Sequence, residues 1–252
     1  MWWSIRGRSR RPAAVRLLAL IAVVALAASF VRSGRDEDPD YEKIFGRNYK
    51  NAVAFVESNR KYDAAFRSGG IDRAFAWSIV FPELIRWSAL SNVIETSNLR
   101  TLYVQFGAKY SDFSVGRFQM KPSFAETLEG DYNRLIEQDV KDKIRLPAFK
   151  TADTAENRRA RVVRLTDMDG QIGYLIAFIL VMEKMYAGEI WTDDEAKLRF
   201  FATGYNAGYR RGAAAIKKES VLRRFHTGVL FSKPAYCYAD ISLDFFRRFP
   251  VI

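Results

Sequence analysis

Residues 169–208 read DGQIGYLIAFILVMEKMYAGEIWTDDEAKLRFFATGYNAG, and the spacing within them decides the fold class. Ile172, Leu175, Ile176, Ile179 and Met182 recur at i, i+3, i+4, i+7 and i+10, so they line one face of a helix. Leu198, Phe201, Ala202 and Tyr205 repeat the stripe. Between the two, Thr192-x-x-Glu195 has the form of a capping box, in which a hydroxyl and a carboxylate satisfy orphan N–H groups at a helix start. Ser123-x-x-Glu126, just after Pro122, has the same form. Outward from this stretch helical spacing continues and strict alternation is scarce. The pattern predicts helices over 44–66, 71–81, 83–97, 123–138, 154–166, 169–187, 193–209 and 212–224, and hence an all-α body.

The 252-residue chain is 49% hydrophobic, 14% aromatic and 27% charged, which excludes a disordered or collagen-like protein and provides for a sizeable core. A single cysteine, Cys237, permits no internal disulfide. With a single histidine, His226, a Cys/His zinc cluster or a Ser-His-Asp triad lacks material, so neither a metal nor a cofactor is expected. Any catalysis must rest on carboxylates, hydroxyls, amides and cations.

The net charge of +11 is unevenly placed. Arg6, Arg8, Arg10, Arg11 and Arg16 precede an apolar run from Leu17 to Val31, and Ala25-Leu26-Ala27 supplies a small-x-small cleavage pattern. Residues 1–28 therefore read as an export signal, or as an uncleaved membrane anchor. Residues 29–42 read as a linker, 43–222 as the folded domain, and the Phe- and Tyr-rich tail 223–252 as a segment packing back on it. Without 1–28 the chain loses five arginines and stands at +6, a moderate charge that suits an anionic surface. Export makes nucleic acid an unexpected partner. The run Arg158-Arg159-x-Arg161 reads as a solvated helix face.

Among the acids, Glu83 has the least polar neighbourhood, between Ile79-Val80-Phe81-Pro82 and Leu84-Ile85. Burial there raises a carboxyl pKa and keeps the proton that a general acid must donate. Pro82 lacks an N–H and crowds the preceding turn, so a helix break is expected beside the acid. The same residues also read as N1 and N2 of a new helix, where a carboxylate suits the dipole.

Three further segments add a resemblance. Gly116-Arg-Phe118-Gln119-Met-Lys-Pro122-Ser123 resembles the G-L-M-Q-x-x-P-S/T segment of the soluble lytic transglycosylases. Asp169-Gly-Gln-Ile-Gly-Tyr-Leu175 is similar to the family's N-I-x-x-G-x-x-Y-L helix, and Ala202-Thr-Gly-Tyr205-Asn206-Ala207-Gly208 to its A-x-x-Y-N-A-G signature. Gly70-Ile71 precedes Glu83 at the distance where the family has a Gly-Val pair. The resemblance spans roughly residues 60–215 and implies a lysozyme-like helical fold and cleavage of peptidoglycan between N-acetylmuramic acid and N-acetylglucosamine.

It also implies roles. One glutamate acts as acid and then base, with Glu83 favoured by the upstream Gly-Ile. Glu95 is the alternative, because Glu95-Thr-Ser-Asn-Leu99 imitates the family's E-S-x-F turn and stands nearer Gln119. If Glu83 is the acid, residues 88–110 form an insertion that lengthens the active-site loop. Tyr205 would hydrogen-bond and orient the catalytic carboxyl, and Asn206 would offer its amide beside it. Ser114 and Gln119 would bind N-acetyl or hydroxyl groups. Asp112 is the candidate second carboxylate, which would make the protein a lysozyme-type hydrolase instead. A non-catalytic glycan-binding or scaffold protein of the envelope is the remaining reading. The implied location is the bacterial periplasm or cell envelope.

Overall fold

A computed structural model of the chain describes residues 39–90, 97–146, 148–228 and 234–249. The expected export segment, linker residues 29–38 and Glu95 lie outside the described residues. The compact body begins at Tyr41.

The body is all-α apart from one short ribbon. In chain order its helices are α1 (Tyr41–Phe45), α2 (Arg47–Ser58), α3 (Asp63–Ser68), α4 (Arg73–Leu90), α5 (Ser97–Phe106), α6 (Pro122–Leu135) and α7 (Gln138–Ile144). There follow α8 (Ala155–Thr166), α9 (Met168–Met185), α10 (Asp194–Ala207), α11 (Ala213–Glu219) and, last, α12 (Tyr238–Arg248). Strands β1 (Arg223–Phe225) and β2 (Tyr236–Cys237) pair antiparallel just before α12. Both α4 and α9 are apolar on nearly every side, and such helices can only lie inside. Each is buried along most of its length. Helices α2, α10 and α12 pack around α4, while α6 and α8 pack on α9.

The break predicted at Pro82 does not occur, for α4 runs on from Arg73 to Leu90 with Pro82 inside it. Proline there forfeits the bond to the Ser78 carbonyl and crowds it. Tertiary packing overrides that cost. Phe81 stacks on Phe245 of α12 at 4.0 Å and meets Tyr49 of α2 edge-on at 5.0 Å, while Tyr238 donates its hydroxyl to the Ile79 carbonyl at 2.9 Å. The helix therefore reaches the start of the predicted 88–110 loop, and residues 97–106 of that loop form α5, which packs on α8.

Both expected capping boxes are corrected. Asp193, rather than Thr192, caps α10 by accepting from the Ala196 N–H, since a carboxylate is the stronger acceptor at the positive end of a helix. Glu195 pairs with Arg247 of α12 at 2.6 Å. At α6 Pro122 occupies the first turn, and the orphan Ser123 N–H is taken by Asp112, at 3.0 Å. Helix 44–66 is interrupted at Gly46, whose φ of +51° is left-handed, and at Asn59. Helix 212–224 stops at Glu219, and Arg223–Phe225 turns into strand.

The Arg158/Arg161 face is not solvated. Arg161 is buried and clasps Glu129 through Nε at 3.0 Å and Nη2 at 2.6 Å, while Arg158 is buried against the Val104 and Gln105 carbonyls of α5. Glu129, fully buried, is compensated by Arg161 and Arg164. Among the described residues no single helix is long and apolar enough to cross a membrane.

Candidate active site

Glu83 stands one residue past Pro82 on α4, and a cleft of about 520 Å³ opens beside it. Five sequence candidates line that cleft: Glu83 from α4, Ser114 and Gln119 from the loop before α6, and Tyr205 and Asn206 from the end of α10. Glu83 is the sole carboxylate among the described lining residues, whereas Arg86, Lys121 and Arg210 bring three cations. Asp112 does not line it, because both its carboxylate oxygens bond Ser123, Oδ1 to the N–H and Oδ2 to the hydroxyl at 2.8 Å.

The Glu83 carboxyl is only 5% exposed, and burial pushes its pKa from the ordinary 4.5 up to about 7. Arg86, one turn further along α4, opposes that rise. Its Nη1 stands 3.7 Å from Oε2, within charge-pairing range and beyond a hydrogen bond, so Oε2 is buried without a hydrogen-bond partner.

Two buried phenols flank this carboxyl. Tyr205 donates its hydroxyl to the Phe118 carbonyl at 2.8 Å, and Tyr238 donates to Ile79. Burial, and then the nearby Glu83 charge, hold both phenols well above their usual pKa. A phenol has one proton to give. The expectation that Tyr205 hydrogen-bonds the catalytic carboxyl is thus corrected: its proton goes to the Phe118 carbonyl.

The loop facing Glu83 is built tightly. The Val115 N–H bonds the Met120 carbonyl at 2.8 Å, and the turn between them needs positive φ at Gly116 (+70°) and at Gln119 (+50°). Only glycine fits at 116, because a Cβ would come within 2.4 Å of the Leu165 carbonyl and 2.5 Å of Gln171 Oε1. Gln119 folds its Nε2 back onto the Gly116 carbonyl at 2.8 Å. Strained non-glycine backbone of this kind is concentrated at functional sites. Gln171 of α9 accepts from the Phe118 N–H at 2.9 Å, so the turn is tied to α9 by Gln171 and to α10 by Tyr205.

Sequence reading quoted Gln171 within a motif without giving it this role. It missed Arg86, which helical spacing from Glu83 made readable, and Tyr238, which no local signal could have found. Of the aromatic residues, Trp77 and Tyr103 are fully buried in the core, Trp87 borders two adjoining pockets, and Tyr110 is 72% exposed. Among the described residues no group of three or more His, Cys, Asp and Glu side chains is placed to hold a metal ion.

No family model matches the chain, and neither a curated protein nor a solved structure is significantly similar to it.

Proposed function

We propose that the chain is an exported enzyme of the bacterial cell envelope that cleaves peptidoglycan, a lytic transglycosylase with a lysozyme-like helical domain. The observation that carries this reading is a buried carboxyl, the sole one among the described lining residues, in the wall of a cleft of about 520 Å³, where burial raises its pKa. The three segments that resemble the family, separate in sequence, are also joined around that cleft through Gln171, Phe118 and Tyr205.

Neutral Glu83 donates its proton to the glycosidic oxygen as the bond stretches toward an oxocarbenium-like transition state. The substrate's own N-acetyl oxygen attacks the anomeric carbon, so no second protein carboxylate is required. The Glu83 carboxylate left behind, its charge offset by Arg86 at 3.7 Å, then takes the proton of the muramyl 6-hydroxyl, and that oxygen displaces the N-acetyl oxygen from the anomeric carbon as it closes the 1,6-anhydro ring. The proton returns to Glu83 and no water is consumed. Arg86, Lys121 and Arg210 suit a polymer that carries carboxylates. The hydrolase reading is less favoured, because Asp112 serves as a helix cap.

Digestion of purified murein by the full chain, with the products weighed by mass spectrometry, is expected to release 1,6-anhydro-muropeptides. Reducing ends would make the enzyme a hydrolase, and no release by folded protein would overturn the reading. Because the protonated acid starts the reaction, kcat/KM should fall about tenfold per pH unit above pH 7. Glu83→Gln should lower the rate by about 10²–10⁴-fold.

A further inference from the structure

A second pocket of about 240 Å³ adjoins the cleft, and Ser114 borders both. Its wall carries Arg100 of α5, Arg117 of the strained turn and Trp87 of α4, and no carboxylate among the described residues. Arg100 has its Nε buried with no hydrogen-bond partner. A buried N–H without an acceptor is unfavourable, and the buried guanidinium groups of Arg158 and Arg161 meet carbonyls and a carboxylate instead. Arg117 lies over the Phe55 ring at 4.4 Å and near Trp87 at 5.9 Å, which holds its cation at the pocket without pairing it to an acid. Two guanidinium groups with no acid partner among the described residues, beside a half-buried indole, form a receptor for an oxyanion.

We propose that this pocket receives a carboxylate of the peptide carried by the glycan strand while the sugar occupies the Glu83 cleft. The inference rests on the peptidoglycan reading and adds that the stem peptide is recognised. Arg100 and Arg117 pair with the carboxylate, and Ser114 marks the boundary between sugar and peptide. Because Gln171 and Gly116 line the same pocket, the bound peptide also presses on the turn that faces the acid.

The test is calorimetry on the full-length Glu83→Gln protein, which binds without turning over. The probes are a murein tetrasaccharide bearing its peptides and the same tetrasaccharide stripped of them by an amidase. The peptide-bearing probe should bind about tenfold more tightly or better. Arg100→Gln and Arg117→Gln should each shrink that ratio, and together they should abolish it with the melting profile retained. Equal affinity for the two probes overturns the proposal, as does a preference that survives the double substitution. Arg100-dependent binding of inorganic phosphate, with the two probes equal, would assign the pocket to a phosphate polymer and also overturn it. Failure of the native chain to cleave either substrate would instead remove the enzymatic reading and leave the calorimetric result standing.

Discussion

Glu83 and Glu129 are both buried carboxyls, yet their surroundings set them to different tasks. Glu129 meets Arg161 at 2.6 Å and Arg164 at 2.8 Å, and removing such partners strands a buried charge. Glu83 has only Arg86, at 3.7 Å, and a buried oxygen without a hydrogen bond. Its pKa lies above the value of an unfolded glutamate, so between pH 4.5 and about 7 the folded chain keeps a proton that the unfolded chain releases. The contribution of Glu83 to stability is therefore most favourable below pH 4.5, declines as pH rises through that window, and carries the full penalty above pH 7. The rise from 4.5 to about 7 corresponds to about 3 kcal/mol. Glu83→Gln, which cannot ionise, should unfold at higher denaturant than the native chain at pH 8, by up to about 3 kcal/mol, with the gap closing near pH 4.5. Equal denaturation midpoints at pH 8 would show that the Glu83 carboxyl is not held protonated by burial.

Among the elements, α4 carries the conflict between local chemistry and packing. Pro82 opposes a helix, and burial of Trp77, Ile79, Phe81 and Ile85 on all sides enforces one. The next residue, Glu83, lines the cleft. Pro82→Ala restores the N–H to the Ser78 carbonyl and should raise stability by up to about 3 kcal/mol. If the crowding by Pro82 sets the position of Glu83, its removal should displace the carboxyl and lower murein release by about tenfold or more, since small displacements at a reacting group are costly. Denaturant unfolding and murein release measured on one preparation check both halves. Full activity in Pro82→Ala would show that the proline has no part in aiming the acid.

Over the whole molecule, the last helix completes the site's foundation. Helix α12 packs on α4 and α10, and is held to α4 by Phe245 stacked on Phe81 and Tyr238 bonded to Ile79, and to α2 by Asp244 accepting from Tyr49 at 2.7 Å. A chain ending at residue 222 exposes those faces and removes the Tyr238 hydroxyl from the Ile79 carbonyl beside Glu83. It should lose cooperative thermal unfolding and bind a hydrophobic dye, whereas removal of residues 1–28 should leave a sharp transition. A sharp transition in the shortened chain would show that α12 is dispensable.

The all-α class, the long helices α8, α9 and α10, and the residues that gather at the cleft were legible in the amino-acid order, because helical periodicity and short motifs are written in neighbouring positions. The continuity of α4 was not, since the forces that hold Pro82 in a helix come from α2 and α12. Asp112 in place of a Ser123 capping box, the burial of Arg158 and Arg161, and the donation of Tyr205 to Phe118 likewise depend on partners far away in sequence. Periodicity thus determined which segments coil and which face is apolar. Only tertiary packing decided which polar groups are buried and what each one meets, because desolvation and hydrogen-bond pairing are set by what surrounds an atom in space.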